Sequence, residues 1–336
     1  MTTKRVNTAT NKIMTLNTFL DTCFLLFISI LFYLSIPIYP NKVYPNKVVV
    51  VPQGSLKKVF FSLKEQGVDI NALDLLLLRL MGMPKKGYID MGDGALRKGD
   101  FLVRLIKAKV AQKSATLIPG ETRYFFTQIL SETYQLETSD LNQAYESIAP
   151  RLNGSVIEDG VIWPDTYHLP LGEDAFKIMQ TLIGQSLKKH EALSKQWLGY
   201  YHKEEWFEKI ILASIVQKEA ANTEEMPLIA SVIFNRLKKG MPLQMDGALN
   251  YQEFSHAKVT KERIKTDNTP YNTYKFKGLP KNPVGSVSLE AIKAVIFPKK
   301  TDFLYFVKMP DKKHAFSTTY KEHLKNINLS NNHFYD

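Results

Sequence analysis

WFEKIILASIVQKEAAN occupies positions Trp206 to Asn222 and carries the spacing of a helix. Ile211, Leu212, Ile215 and Val216 recur at helical intervals and define a buried stripe. At about 100° per residue, Glu219 lies about 20° from Leu212 and about 40° from Ile215, so it projects from that apolar face, while Glu208, Gln217 and Lys218 point elsewhere. A carboxylate in such a place is costly to ionise. Partial desolvation raises its pKa towards neutrality, which suits a group that must hold a proton and then deliver it. The alternative is a salt-bridged glutamate near a helix end, and periodicity alone leaves both readings open.

Downstream, Asn222-Thr-Glu-Glu resembles a capping box and Pro227 suits an early helical turn. Leu228, Ile229, Val232, Phe234 and Leu237 form a second stripe, which Lys238-Lys239-Gly240 ends. The pair predicts a helical hairpin whose short connection keeps Glu219 near one end, where a groove can open. Next comes MPLQMDGALNY, a loop with Gln244 and Asp246, and then TPYNTYKFKGLP, which gathers Tyr271, Asn272, Thr273 and Tyr274. Aromatic faces combined with amides and hydroxyls suit sugar rings. A turn with a Tyr pair in the core is the competing reading.

Upstream, VVVV before Gln53-Gly54-Ser55 and LKKVFFSLKEQG predicts strand, turn and helix, with Ser55 as cap and Gly67 as stop. The pattern recurs at Tyr88-Ile-Asp-Met with a helix through Phe101, Leu102, Leu105 and Ile106. It recurs at Thr116-Leu-Ile-Pro with the run Tyr124 to Leu130, and more faintly at Tyr167-His-Leu-Pro with Phe176-Lys-Ile-Met. The uneven glycine spacing excludes a fixed-period solenoid and predicts small α+β modules in series. Asn71 to Met83, NALDLLLLRLMGM, reads as a core helix, too short and too charged to span a membrane. Gly87 to Gly99 has neither the GxxxxGK[ST] nor the GxGxxG order, so it reads as turns and not as a nucleotide site.

At the N-terminus, Thr22 to Ile38 (TCFLLFISILFYLSIPI) is a seventeen-residue run without a formal charge. That sits at the short end of what crosses a bilayer. Lys4, Arg5 and Lys12 precede it, which places the N-terminus in the cytoplasm and the body outside. A cleaved signal peptide is the rival, but Ser35-Ile-Pro-Ile-Tyr-Pro offers no small-x-small cleavage site, so a signal anchor is expected.

The whole chain of 336 residues, 44% hydrophobic and 23% charged, is an ordinary globular composition that excludes wholesale disorder and a multi-span bundle. A single cysteine, Cys23, excludes an intrachain disulfide, a CxxC redox pair and a Cys-rich zinc site. With seven scattered histidines and no HExxH, neither metal nor cofactor is expected. The formal charge of +11 is spread along the chain. It fits a solvated lysine-rich surface as well as contact with an anionic polymer, and an extracytoplasmic body argues against nucleic acid as the partner.

Eight stretches in fixed order bear a resemblance: VVVVPQGS after the anchor, TLIPGET, WPDTYHLPLG, LASIVQKEA, IASVIFNRLKKGMPLQMD, YNTY with GLP, FPKKTDFLYFV and HAFSTTYKEH. Together they resemble the membrane-anchored endolytic murein transglycosylases of the MltG (YceG-like) family. The resemblance implies an α+β chain with an N-terminal transmembrane helix, a small LysM-like α+β module and a larger mixed α+β catalytic domain. The expected boundaries are a cytoplasmic tail at 1–17, a signal anchor at 18–39, connector and module at 40–115 and the catalytic domain at 116–336. It implies Glu219 as the catalytic residue and Gln244, Asp246, Tyr271, Asn272, Tyr274 and Asn235 as substrate-binding residues. The reaction it implies is a lyase reaction without water, in which the β-1,4 bond between MurNAc and GlcNAc is cut to leave a 1,6-anhydro end and nascent glycan strands are kept short. Peptidoglycan strands, a singly crossed bacterial cytoplasmic membrane and peptidoglycan synthases are the implied partners. Gln217 stands where the family usually has Glu, and Met245-Asp246-Gly247 where it usually has Thr-Asp-Pro. The first departure leaves one glutamate in the motif, and the second puts the substrate contact of Asp246 in doubt. A hydrolytic muramidase and a non-catalytic wall-binding scaffold are the competing functions.

Overall fold

The computed structural model describes residues 18, 20–29, 42, 43 and 47–332. These fall into two compact units, one of residues 1–112 with 170–172 and one of residues 113–169 with 173–336. The expected tail at 1–17 and half of the expected anchor at 18–39 lie outside the described residues. Residues 20–29 are helical, and among the described residues no helix is long and apolar enough to cross a membrane.

In the first unit, strand Val48–Val51 pairs antiparallel with Gly87–Asp90, Val48 opposite Asp90 and Val51 opposite Gly87. Val49 and Val51 face inward while Val50 is exposed, as the two-residue period of a strand requires. Ser55 caps helix Leu56–Glu65 by accepting from the Lys58 N–H. Helix Ala72–Met81 begins with a full capping box, in which Asn71 accepts from the Asp74 N–H and Asp74 accepts from the Asn71 N–H. Both helices and Lys98–Lys107 cover the strand pair with Val59, Leu63, Leu77, Leu78, Phe101, Leu102 and Leu105. Lys98, 1% exposed, meets Asp74 at 2.9 Å inside this core. The leucine run is only half a core helix: Leu77 and Leu78 are buried, whereas Leu73, Leu76 and Leu80 are exposed.

The second unit opens on Thr116 and Thr166, side by side on paired strands with hydroxyls 2.9 Å apart. Helices Arg123–Tyr134, Thr138–Ile148 and the 24-residue Ala175–Leu198 follow. The last of these meets helix Lys203–Glu219 through His190 against Trp206 and Phe207, and that helix is buried on every side from Ile210 to Val216. The amphipathic stripe expected there is therefore replaced by a central helix, because Leu289–Ile296, Met226–Lys238 and the loop after it pack around it. Trp206 Nε1 donates to His190 Nδ1 at 3.1 Å, and His190 Nε2 bonds the Val161 carbonyl. With its Nδ1 accepting, this imidazole is neutral, and burial pushes its pKa down to about 4. The β-hairpin Tyr305–Lys308 with His314–Ser317 and helix Tyr320–Asn332 complete the unit.

The expected capping box at Asn222 forms only in half. Asn222 Oδ1 accepts from the Glu225 N–H at 3.1 Å, one turn before helix Met226–Lys238 begins. The Glu225 carboxylate turns away to the hairpin instead, taking the His314 N–H at 2.9 Å and lying 2.7 Å from His314 Nδ1.

Candidate active site

Glu219 is the last residue of the central helix, and the chain leaves the axis at Ala220 with extended backbone. The side chain is half-buried at the wall of a cavity of about 610 Å³. Burial pushes its pKa up to about 7 against an opposing hydrogen bond from the Gly247 N–H to Oε1 at 2.6 Å, and the charge of Asp246 adds to the rise. A glutamate of this kind is protonated about half the time at neutral pH.

The loop that meets it is held from three directions. Arg236, buried on helix Met226–Lys238, donates to the carbonyls of Leu304, Pro242 and Leu243 and to Gln244 Oε1, with its guanidinium 5.1 Å from the Tyr305 ring centre. Gln244 adopts left-handed backbone with φ 52°. Its N–H bonds the Thr273 carbonyl at 3.1 Å, and the Met245 N–H bonds Thr273 Oγ1 at 3.0 Å. Asp246 opens a short 3₁₀ turn and accepts from the Tyr274 hydroxyl at 2.6 Å. Gly247 has no room for a side chain: a Cβ there would lie 2.6 Å from Lys218 Cβ and 2.9 Å from Glu219 Oε1. A glycine at 247 thus lets the backbone N–H reach the carboxylate.

Of the expected site residues, Glu219, Gln244, Asp246 and Tyr274 line this one cavity. Three do not. Tyr271 is buried and stacks on Tyr251 with ring centres 4.1 Å apart, so of Tyr271 and Tyr274 the first is core and only the second faces the cavity. Asn272 is fully buried, its amide donating to the Ile264 and Asp267 carbonyls and its oxygen accepting from the Tyr274 N–H. It shapes the turn that aims Tyr274 and offers nothing to a ligand. Asn235 donates to the Thr301 and Phe303 carbonyls and lines a different cavity, because neighbours on a helix point about 100° apart.

The wall also includes Phe306, Val307, Lys308, His314, His323 and Ile327 from the C-terminal hairpin and helix. Sequence reasoning names none of these as site residues, although HAFSTTYKEH contains both histidines. Arg236 also escaped it, since most of its partners are backbone carbonyls brought in only by the tertiary fold, and Thr273, grouped with the sugar-facing side chains from sequence, instead holds the Met245 N–H. Among the described residues no group of three or more His, Cys, Asp and Glu is placed to hold a metal.

The YceG-like family model matches residues 48–329. The chain belongs to the YceG-like family. It is 28% identical over 239 residues to an endolytic murein transglycosylase of Bacillus subtilis, covering 67% of this chain and 64% of that protein. A second relative with that name, from Streptococcus pneumoniae, is 34% identical over 181 residues, covering 50% of this chain and 31% of its own length. The chain thus spans less than two thirds of these YceG-like relatives. A crystal structure of a yceG-like protein from Listeria monocytogenes superposes with a TM-score of 0.56 at 23% identity, over 85% of this chain and 99% of that one. That likeness shows the mixed α+β fold of the YceG-like body.

Proposed function

We propose that this chain is a lytic transglycosylase acting within peptidoglycan strands, with Glu219 as its catalytic acid and base. The observation that carries the reading is a single near-neutral glutamate, held by a backbone N–H, in an open polar cavity of a YceG-like chain. In the proposed reaction protonated Glu219 gives its proton to the glycosidic oxygen between MurNAc and GlcNAc, and the C1–O bond breaks. The carboxylate then takes the proton from the MurNAc 6-hydroxyl as O6 bonds to C1. The 1,6-anhydro ring closes, no water enters, and Glu219 ends protonated as it began. An oxygen already tethered within the substrate has the large effective concentration of an intramolecular nucleophile. Gln244, Asp246 and Tyr274 are proposed to contact the sugars.

The rest of the assignment goes with this activity: an N-terminal membrane anchor, a LysM-like module before the catalytic unit, action outside the cytoplasmic membrane beside peptidoglycan synthases, and shortening of nascent strands. A hydrolytic muramidase is the second reading, because Asp246 shares the cavity and a two-carboxylate hydrolase needs a second carboxylate across the bond. Digestion of purified sacculi tests the enzyme reading. Glu219→Gln should lower it by about 10²- to 10⁴-fold with an unchanged circular dichroism spectrum. Full digestion by that variant would remove Glu219 from the chemistry, and no digestion by the parent chain would favour the wall-binding scaffold.

A further inference from the structure

We propose that the second unit carries a second saccharide subsite, a cavity of about 320 Å³ between helices Arg123–Tyr134 and Thr138–Ile148, built for an uncharged N-acetylated sugar. The inference rests on the glycan-cleaving reading and extends it to how a long strand is held.

Thr127 points to a ligand. Its hydroxyl is buried, 2% exposed for the residue, and has no hydrogen-bond partner, although a helical threonine ordinarily bonds the carbonyl one turn back. An orphaned buried hydroxyl costs free energy that a bound polar group removes. Around it stand the side chains of Gln128, Asn142 and Gln252 with the exposed ring of Tyr124. These supply amides, a hydroxyl and one flat apolar face, which is the chemistry that reads an acetamido sugar.

Charge disfavours anionic ligands. Arg123 is committed to Glu158 at 3.1 Å and to Asn142 Oδ1, so it is not free for an anion. Asp159 is buried and accepts from the Arg123 N–H at 2.5 Å. Glu146 and Glu253 on the rim have no cationic partner among the described residues. In a chain of net charge +11 this cavity is locally acidic, which disfavours phosphates, carboxylates and anionic lipid. The lining lacks the aliphatic side chains an acyl chain needs.

One loop joins this cavity to that of Glu219. Gln244 and Asp246 line the first, while Gln252 and Glu253 line the second. The loop is fixed along its course: the Gly247 N–H bonds Glu219, the Thr122 hydroxyl bonds the Gln252 carbonyl at 2.9 Å, and Lys218 Nζ donates to Ser255 Oγ at 2.7 Å. A polymer cut at Glu219 can be gripped beyond that loop, as internal cleavage of a strand requires.

The test is calorimetric titration of the full chain carrying Glu219→Gln, in detergent, with chitotetraose, the uncharged β-1,4 tetramer of GlcNAc. Two binding events are expected. Tyr124→Ala with Gln128→Ala, both outside the core, should abolish one of them, and Thr127→Val should weaken the same event about 2- to 10-fold, the value of one hydrogen bond. A titration unchanged by these variants overturns the subsite. Binding there of deacetylated, cationic chitosan tetramer in preference to chitotetraose overturns the uncharged-sugar assignment. Sacculus digestion by the parent chain keeps the two readings apart. Thr127-dependent binding without digestion leaves the subsite standing and removes the transglycosylase, whereas digestion without that binding does the reverse.

Discussion

Glu219 keeps its proton because burial and the neighbouring Asp246 charge outweigh the single N–H that Gly247 offers. Two consequences follow from the sign of that balance. The acid form is lost as pH rises through about 7, so turnover of sacculi should fall on the alkaline side of neutrality. Asp246→Asn removes a charge that raises this pKa, and its pH–rate profile should have its alkaline limb shifted to lower pH. The second consequence concerns stability. A glutamate whose folded pKa exceeds its unfolded value binds more protons when folded, so its contribution to stability is full below the ordinary value of 4.5 and declines as pH rises to about 7. Glu219→Gln should therefore melt higher than the parent at pH 8, by about 2 to 4 °C for each kcal/mol recovered, with little gain at pH 5. Equal melting curves at pH 8 would contradict the desolvation account. The helical wheel placed this carboxyl in an apolar setting without knowing that the helix is covered on all sides. It could not place Asn235, Tyr271 or Asn272, because their partners are carbonyls and rings brought in by distant segments.

At the scale of elements, the site depends on one loop docked against one helix end. Gly247→Ala would force a methyl into Lys218 and Glu219, at a cost of about 1 to 3 kcal/mol for an overpacked contact, and would push the N–H away from the carboxyl. Chemical denaturation and the pH–rate profile should both respond. Arg236→Met would leave three backbone carbonyls without their donor and should destabilise by about 3 kcal/mol or more. Arg236→Lys should not rescue it, since one ammonium cannot reproduce a planar fork. His190 works in the opposite pH direction to Glu219. Its folded pKa of about 4 lies below the ordinary 6.5, so the stability it lends is present above 6.5 and lost as pH falls towards 4. The melting temperature of His190→Gln should accordingly be less sensitive to pH across that window. Caps and strand alternation made the elements of the first unit readable from Val48 to Lys107. The half-formed box at Asn222 shows the limit, as Glu225 finds a better partner in His314, 89 residues away.

For the whole molecule, order of motifs outweighed any single motif: eight short stretches pointed to a YceG-like chain, and a family match over residues 48–329 agrees. The hydrophobic run before Pro40 was the plainest signal in the sequence, yet half of its expected span lies outside the described residues. The cationic balance of +11 should make retention on sacculi fall as salt rises, because exposed charges are screened within about 10 Å at 0.1 M. Pelleting with sacculi across a salt series measures this. The central claim is that Glu219 alone serves both proton transfers, so that the sugar's own 6-hydroxyl and not water completes the reaction. Mass spectrometry of the glycan ends released from purified sacculi by the full chain tests it most directly: the account predicts 1,6-anhydroMurNAc termini that vanish with Glu219→Gln, and reducing MurNAc termini would contradict it.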